Sequence, residues 1–250
     1  MNKLSLLSVL LLACVTAQAT EPMMPDGSKD MYVGMALATR TAAAGEERRV
    51  EPRPLLQVQW SNGVFLSASG VAGLHLSDAP GLEYGPLLAA SNSRQPTDSW
   101  RLRGSRPVDG KADGGVFFNY YLSEQTRVLS SVFYDTSAHG LRGYAGLQKA
   151  LALPDPHHSL ALTAGAYWAT APVMRELYSV SAAAGGARDY RPDAGLSAVS
   201  VGLDWNWALS RQWLLHSGVS GTRLGRAAAD SPVVERRSFI SWSTGLAYRF

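Results

Sequence analysis

The stretch that ends the chain constrains its fold more than any other. Ser243-Thr244-Gly245-Leu246-Ala247-Tyr248-Arg249-Phe250 is a polar-x-Gly-x-x-aromatic-x-aromatic pattern that finishes on the terminal carboxylate. Ile240, Trp242, Leu246, Tyr248 and Phe250 share one parity, and Ser241, Ser243, Gly245, Ala247 and Arg249 share the other. Alternate side chains of a strand point to opposite faces, so one face here is apolar and the other polar or small. That division suits a strand with lipid on one side and a polar interior on the other. Ser243, Gly245, Tyr248 and Phe250 also match the terminal signal read by the machinery that inserts outer-membrane barrels, which makes that machinery an expected partner.

The other end reads as an export signal. Lys3 gives the positive start, residues 4–15 an apolar core too short to span a bilayer, and Ala17-Gln18-Ala19 a small-x-small cleavage site, so cleavage is expected after Ala19. The single cysteine, Cys14, falls inside this segment, and the mature chain is expected to carry no thiol, no disulfide and no Cys-based metal site. Beyond Ala19 no run approaches the roughly 20 apolar residues of a transmembrane helix. Mean hydropathy is −0.06 although 46% of residues are hydrophobic. Alternation reconciles the two values, because lipid-facing residues average against lumen-facing ones. The charge, 23 basic against 20 acidic residues, is nearly balanced and gives nucleic-acid binding no support.

The alternation recurs along the whole chain. Met31, Val33, Met35 and Leu37 oppose Gly34, Ala36 and Ala38; Leu56, Val58 and Trp60 oppose Gln57 and Gln59; Val116, Phe118, Tyr120 and Leu122 oppose Phe117, Asn119 and Tyr121. Later, Val199, Val201, Leu203, Trp205 and Trp207 oppose Ser200, Gly202, Asp204 and Asn206. Ser61-Asn62-Gly63 predicts a tight hairpin turn leading into a strand over 64–74. Polar stretches at 41–53, 92–113, 175–194 and 225–237 predict the long exposed loops. Eleven strands are legible in this way, and a bacterial barrel with both ends in the periplasm needs an even number. The expectation is an all-β, antiparallel, up-and-down transmembrane barrel of about 12 strands, with ten as the fallback. The hidden strand is expected within 100–106 or 177–184. The domain plan is a signal peptide over 1–19, a short periplasmic segment over 20–29 and one barrel over 30–250.

The chain resembles the MipA/OmpV family of outer-membrane proteins. The resemblance is most specific in Gly195-Leu196, Val201-Gly202-Leu203, Leu224-Gly225, Ala229-Asp230-Ser231-Pro232-Val233-Val234-Glu235 and the terminal Gly245-Leu246-Ala247-Tyr248-Arg249-Phe250. Earlier matches are Tyr32-Val33-Gly34, Arg53-Pro54-Leu55-Leu56, Trp60-Ser61-Asn62-Gly63-Val64-Phe65-Leu66 and Tyr84-Gly85-Pro86. The 41–47 loop, Gly104-Ser105-Arg106-Pro107 and the segment after Tyr178-Ser179-Val180-Ser181 depart from the family pattern. The resemblance implies a non-enzymatic scaffold in the outer membrane of a Gram-negative bacterium, linking a lytic transglycosylase to a penicillin-binding synthase in cell-wall biogenesis. The alternatives are a narrow pore for small solutes, or adhesion and stress response through the extracellular loops.

Catalytic constellations are weak. His216 and Ser217 are neighbours on a strand and must face opposite ways, so they form no dyad. His157 and His158 follow a turn without repeated ligand spacing, and Ser217-Gly218-Val219-Ser220-Gly221 lies within a strand and not at a nucleophile elbow. No enzyme activity and no cofactor are expected. Asp204, Asn206, His216 and Arg249 share the lumen parity and form a candidate polar cluster. Arg226, Arg236 and Arg237 in one loop, and Arg48, Arg49 and Arg53 in another, are candidates for contact with the phosphates of lipopolysaccharide, the expected lipid partner. Trp205, Trp207, Trp213, Trp242 and Tyr248 read as interfacial girdle anchors. Replacing Phe250 with Ser should reduce the folded, heat-modifiable barrel in outer-membrane fractions and leave unfolded chain in the periplasm. Undiminished folded barrel would remove the terminal aromatic from the insertion signal.

Overall fold

A computed structural model describes residues 29–40, 49–67, 70–77, 79, 81–91, 93–98, 100–186 and 188–250. The proposed cleavage residues Ala17 and Ala19, and Arg48 in the first loop, lie outside the described residues. Twelve antiparallel strands close on themselves: β1 (Lys29–Arg40), β2 (Arg49–Trp60), β3 (Val64–Ser67), β4 (Val71–Leu74), β5 (Leu82–Ala90), β6 (Ala112–Ser123), β7 (Thr126–Asp135), β8 (Gly140–Leu151), β9 (His158–Ala169), β10 (Gly195–Ala208), β11 (Trp213–Leu224) and β12 (Ser238–Arg249). Each pairs with its sequence neighbours, and β1 meets β12 in register from Tyr32–Arg249 to Ala38–Ser243. The Phe250 amide adds a bond to the Met31 carbonyl at 3.0 Å, and the Arg249 amide one to the Gln212 carbonyl at 2.7 Å. The terminal residues are therefore stitched into both the first strand and the turn before β11.

The twelfth strand is not where the sequence placed it. The stretch 64–74 is a hairpin of two four-residue strands, turned at Gly70, whose φ is +82°. The small residues Ser67 and Gly70 hide the break, because a Gly in a strand pattern reads as a bulge as readily as a turn. Neither expected position is a strand. Trp100–Leu102 is a 3₁₀ turn, and 171–178 is a helix, α1 (Ala171–Tyr178), started by Pro172 in its first turn. The hairpin also leaves β2 above Gln57 with ladder partners on β1 alone among the described residues. Pro52 and Pro54 fall in that half-paired stretch, where a residue without an N–H suits an open edge.

The two faces separate as the alternation requires. Met35, Leu37, Leu88, Val116, Leu122, Val201 and Ile240 are exposed on the outer wall, and Ala36, Leu55, Phe117, Phe133, Tyr144, Asp204 and His216 are buried inside. At the end that carries both termini the turns are short, and there the aromatics form rows. Trp205 stacks on His158 at 5.6 Å, Trp207 lies 6.1 Å from Trp205, and Trp213 meets Tyr248 edge-on at 5.1 Å, with Phe250 a further 4.9 Å away. Trp242 is not part of this girdle; it pairs with Val219, well up the wall. Inside, the Tyr144 ring lies across Gly146 and Gly165, and a Cβ on either glycine would run into it. A Gly165→Val variant should lose about 1–3 kcal/mol of stability from overpacking. Tyr144→Ala in the same background should recover most of that in urea titrations, and additive losses would mean that the two residues do not share the space.

Candidate functional site

Two sets of polar residues stand at the inward positions of the wall. Near the terminus-bearing end, which the topology places in the periplasm, a belt crosses β5 to β9. Glu83 accepts from Asn119 Nδ2 at 3.1 Å and from the Tyr121 hydroxyl at 3.0 Å, and Arg127 donates to that same hydroxyl at 2.9 Å. Arg127 Nε also donates to Gln148 Oε1 at 2.7 Å, and Gln148 Nε2 to the Thr163 hydroxyl at 3.1 Å. The belt resumes on β9 to β11, where Asn206 Nδ2 reaches the Ser159 hydroxyl at 3.3 Å and Asn206 Oδ1 meets His216 Nδ1 at 2.8 Å. Asp204, nearly inaccessible, stands one inward position above Asn206. Of the four residues grouped by sequence, the fold brings Asp204, Asn206 and His216 to one patch of wall. Arg249 lies apart, four residues beyond Gly245, the β12 partner of His216, with its guanidinium 5.6 Å from the Tyr32 ring.

His216 and Ser217 do face opposite ways. Ser217 sits on the outer wall 2.6 Å from the Thr244 hydroxyl. His157 pairs with Asp155 at 2.9 Å in an exposed turn, and among the described residues no three His, Cys, Asp or Glu side chains gather to hold a metal. Ser243 and Gly245 take inward positions on β12, while Tyr248 and Phe250 face outward.

The second polar set lies at the opposite end and was not singled out in the sequence. Arg142 bonds Asp113 at 2.9 Å, stands 3.9 Å from Asp135, and lies over the Phe133 ring at 4.7 Å. Asp113 is wholly buried and also accepts from the Thr136 amide at 3.0 Å and its hydroxyl at 3.1 Å. Removing Arg142 would leave a buried charge with fewer partners, a loss of the order of 3–5 kcal/mol for a fully buried pair. Each member sits at the inward parity of its strand, and that parity was the signal available in the sequence; Phe117 and Phe133, also inward, disguised it.

Above this cluster the long loops fold inward as a cap. Leu102 from 91–111, Val173, Met174, Tyr178 and Val180 from 170–194, and Ala228 and Val233 from 225–237 form one buried cluster with the inward Ala169, Ala198, Leu224 and Phe239 of the barrel rim. Polar ties hold the three loops together. Arg94 donates to the Leu177 carbonyl at 2.8 Å, the Tyr190 hydroxyl to the Ala227 carbonyl at 2.6 Å and the Ser231 hydroxyl to the Tyr178 carbonyl at 2.6 Å. Val180 bridges to both Ser105 and Tyr190. The basic loop residues divide. Arg226 and Arg237 both pair with Asp230, at 3.7 and 3.0 Å, whereas Arg236 is exposed beside them. Arg53 belongs to β2 and not to a loop, where it bonds Glu51 at 2.7 Å.

One cap residue is sensitive to pH. Glu176 on α1 accepts a hydrogen bond from the Ser137 hydroxyl, and burial raises its carboxyl above the usual carboxylate range. Asp135 adds to the rise, while Ser137, Lys111 and Arg94 oppose it. An acid with a raised folded pKa stabilises the fold fully below its ordinary value, and that stability is lost as pH rises through the folded value. The cap should therefore tighten on acidification. Amide protection over 171–178 should rise between neutral and mildly acidic buffer, and Glu176→Gln should flatten the dependence. Persistence of the full pH response in that variant would assign it to another group.

Solved outer-membrane barrels are similar in architecture at low identity. The NanC porin aligns with a TM-score of 0.48 and 9% identity, covering 89% of this chain and 100% of its own. The KdgM porin gives 0.41 and 10%, covering 89% and 99%, and the COG4313 outer membrane channel from Pseudomonas putida F1 gives 0.43 and 11%, covering 91% and 97%. No curated protein matches the chain. The family model described as MltA-interacting protein MipA matches residues 33–250, from the third residue of the sequence's first legible strand to the terminal Phe. This twelve-stranded barrel of the outer membrane thus belongs to the MltA-interacting protein MipA family.

Proposed function

We propose that this barrel is a non-enzymatic scaffold that holds a lytic transglycosylase near a penicillin-binding synthase at the inner face of a Gram-negative outer membrane. The observation that carries the reading is the family match over 33–250, whose description names an MltA-interacting protein. Two structural features support it. The cap packs a buried apolar cluster against the β9–β12 rim of the extracellular mouth, an arrangement suited to a fixed wall more than to free passage. At the opposite end Leu76, Leu153 and Leu209 stand exposed on three short turns, giving a periplasmic enzyme apolar points to dock on.

A pore for small solutes is the second reading. Its support is the pair of charged interior layers, Glu83 with Arg127 at one end and Asp113, Asp135 and Arg142 at the other, which could select a solute by charge. Affinity capture of the crosslinked, tagged barrel from gently solubilised envelopes separates the two. Enrichment of a lytic transglycosylase or a penicillin-binding synthase over an unrelated barrel, reduced by Leu153→Glu with Leu209→Glu, supports the scaffold. Recovery of insertion machinery and lipid alone, together with discrete single-channel steps altered by Arg127→Ala, would replace it with the pore.

A further inference from the structure

The outer wall of the barrel is not uniformly bulky. Three successive rows of outward side chains cross β10, β11 and β12. The lowest is Leu203–Val219–Trp242, the next is Val201–Gly221–Ile240, and the highest is Val199–Arg223–Ser238. In the middle row Gly221 leaves the wall without a side chain between two branched ones, and a Cβ built there would meet nothing within 4 Å. The result is a groove of about 550 Å³ on the lipid side, floored by backbone at Gly221 and walled by Val199, Val201 and Ile240. Arg223 and Arg236 line the same groove, and no carboxylate does. Arg223 is the next-to-last residue of β11 and Arg236 belongs to the loop before β12, so both stand at the extracellular boundary.

The vertical order of these groups specifies an occupant. The apolar, side-chain-poor row at Gly221 lies two residues below Arg223, toward the middle of the wall, and the guanidinium pair stands at its loop end. Two arginines at the rim are unusual for a lipid-facing wall, where charge is costly unless it reaches the interface. Asp230 holds Arg226 and Arg237, whereas Arg223 and Arg236 line the groove. Guanidinium forks match phosphate oxygens well.

We propose that this groove is a binding site for one acyl chain of a phosphorylated, multiply acylated saccharide lipid of the outer leaflet, with a head-group phosphate held by Arg223 and Arg236. The chain lies over Gly221 between Val201 and Ile240, above the Val219–Trp242 row. The site is independent of the scaffold reading, since it faces lipid and not the periplasm. It would also anchor the loop that carries Arg236, and hence the cap, to the surrounding leaflet.

Native mass spectrometry of the full mature barrel in detergent tests this, with diphosphorylated lipid A as the probe. A one-to-one adduct is expected to outlast detergent removal. Arg236→Ala, in an exposed loop, should weaken it, and Arg223→Glu with Arg236→Glu should lower the bound fraction by about ten-fold or more, as expected for reversing two interfacial charges. Gly221→Phe should lower it comparably by filling the groove, in a barrel whose heat-modifiability shows it to be folded. Adducts unchanged by both the charge reversal and Gly221→Phe would overturn the proposal. So would equal retention of dephosphorylated lipid A, or a dimer of the barrel that Gly221→Phe abolishes, which would make the groove a protein interface.

Discussion

Closure of β1 against β12 is the constraint on which everything else rests. In a bilayer a backbone N–H or C=O without a partner costs several kcal/mol, so a sheet survives there only when its edges meet. The register from Tyr32–Arg249 to Ala38–Ser243 supplies that meeting, and Phe250 extends it by one more backbone bond to Met31. This makes the terminal aromatics structural as well as a signal. Tyr248 meets Trp213 across the β11–β12 ladder and Phe250 packs beside Tyr248, so the periplasmic aromatic row runs up to the seam itself. The place where closure is weakest, the short β3–β4 hairpin beside β2, is where Pro52 and Pro54 stand.

Once the wall is closed, its interior has to be filled or hydrated, and this chain lines two levels of it with ion-paired side chains. Arg127 and Arg142 each serve several acceptors from neighbouring strands, so each layer ties strands that are not adjacent in the ladder. The upper layer does more than stiffen the wall. Asp135 accepts from the Ser137 and Ala138 amides and so shapes the β7–β8 loop, Ser137 reaches Glu176, and Glu176 lies on the helix that plugs the cap. The barrel interior and the cap are therefore one connected network.

The inner and outer faces answer different chemical demands. Inside, Asn206 and His216 satisfy each other and the glycines at 146 and 165 make room for the Tyr144 ring. Outside, the same device of a missing side chain, Gly221, leaves open space, with no atom of the described residues within 4 Å of where a Cβ would stand. The contrast is what marks the outer groove. An interior glycine is explained by the ring that covers it, and an outer one with cations above it is explained by a lipid.

The sequence by itself determined the closed antiparallel barrel, its facing and its family, because period-two alternation and a terminal aromatic pattern are local and survive without tertiary context. Parity also put Asp204, Asn206, His216 and Arg249 on the inner face, although the ladder brings only the first three to one patch. Tertiary structure decided the rest. The strand count depended on Gly70 turning the chain within 64–74, a choice that small residues leave open locally. The helix at Ala171–Tyr178 was hidden because its apolar side is stabilised by Leu102, Ala228 and Val233, which come from loops far away in sequence. The ion cluster of Asp113, Asp135 and Arg142 and the groove at Gly221 likewise exist only once register sets three strands side by side. Parity tells which way a residue points, and only the ladder tells what it points at.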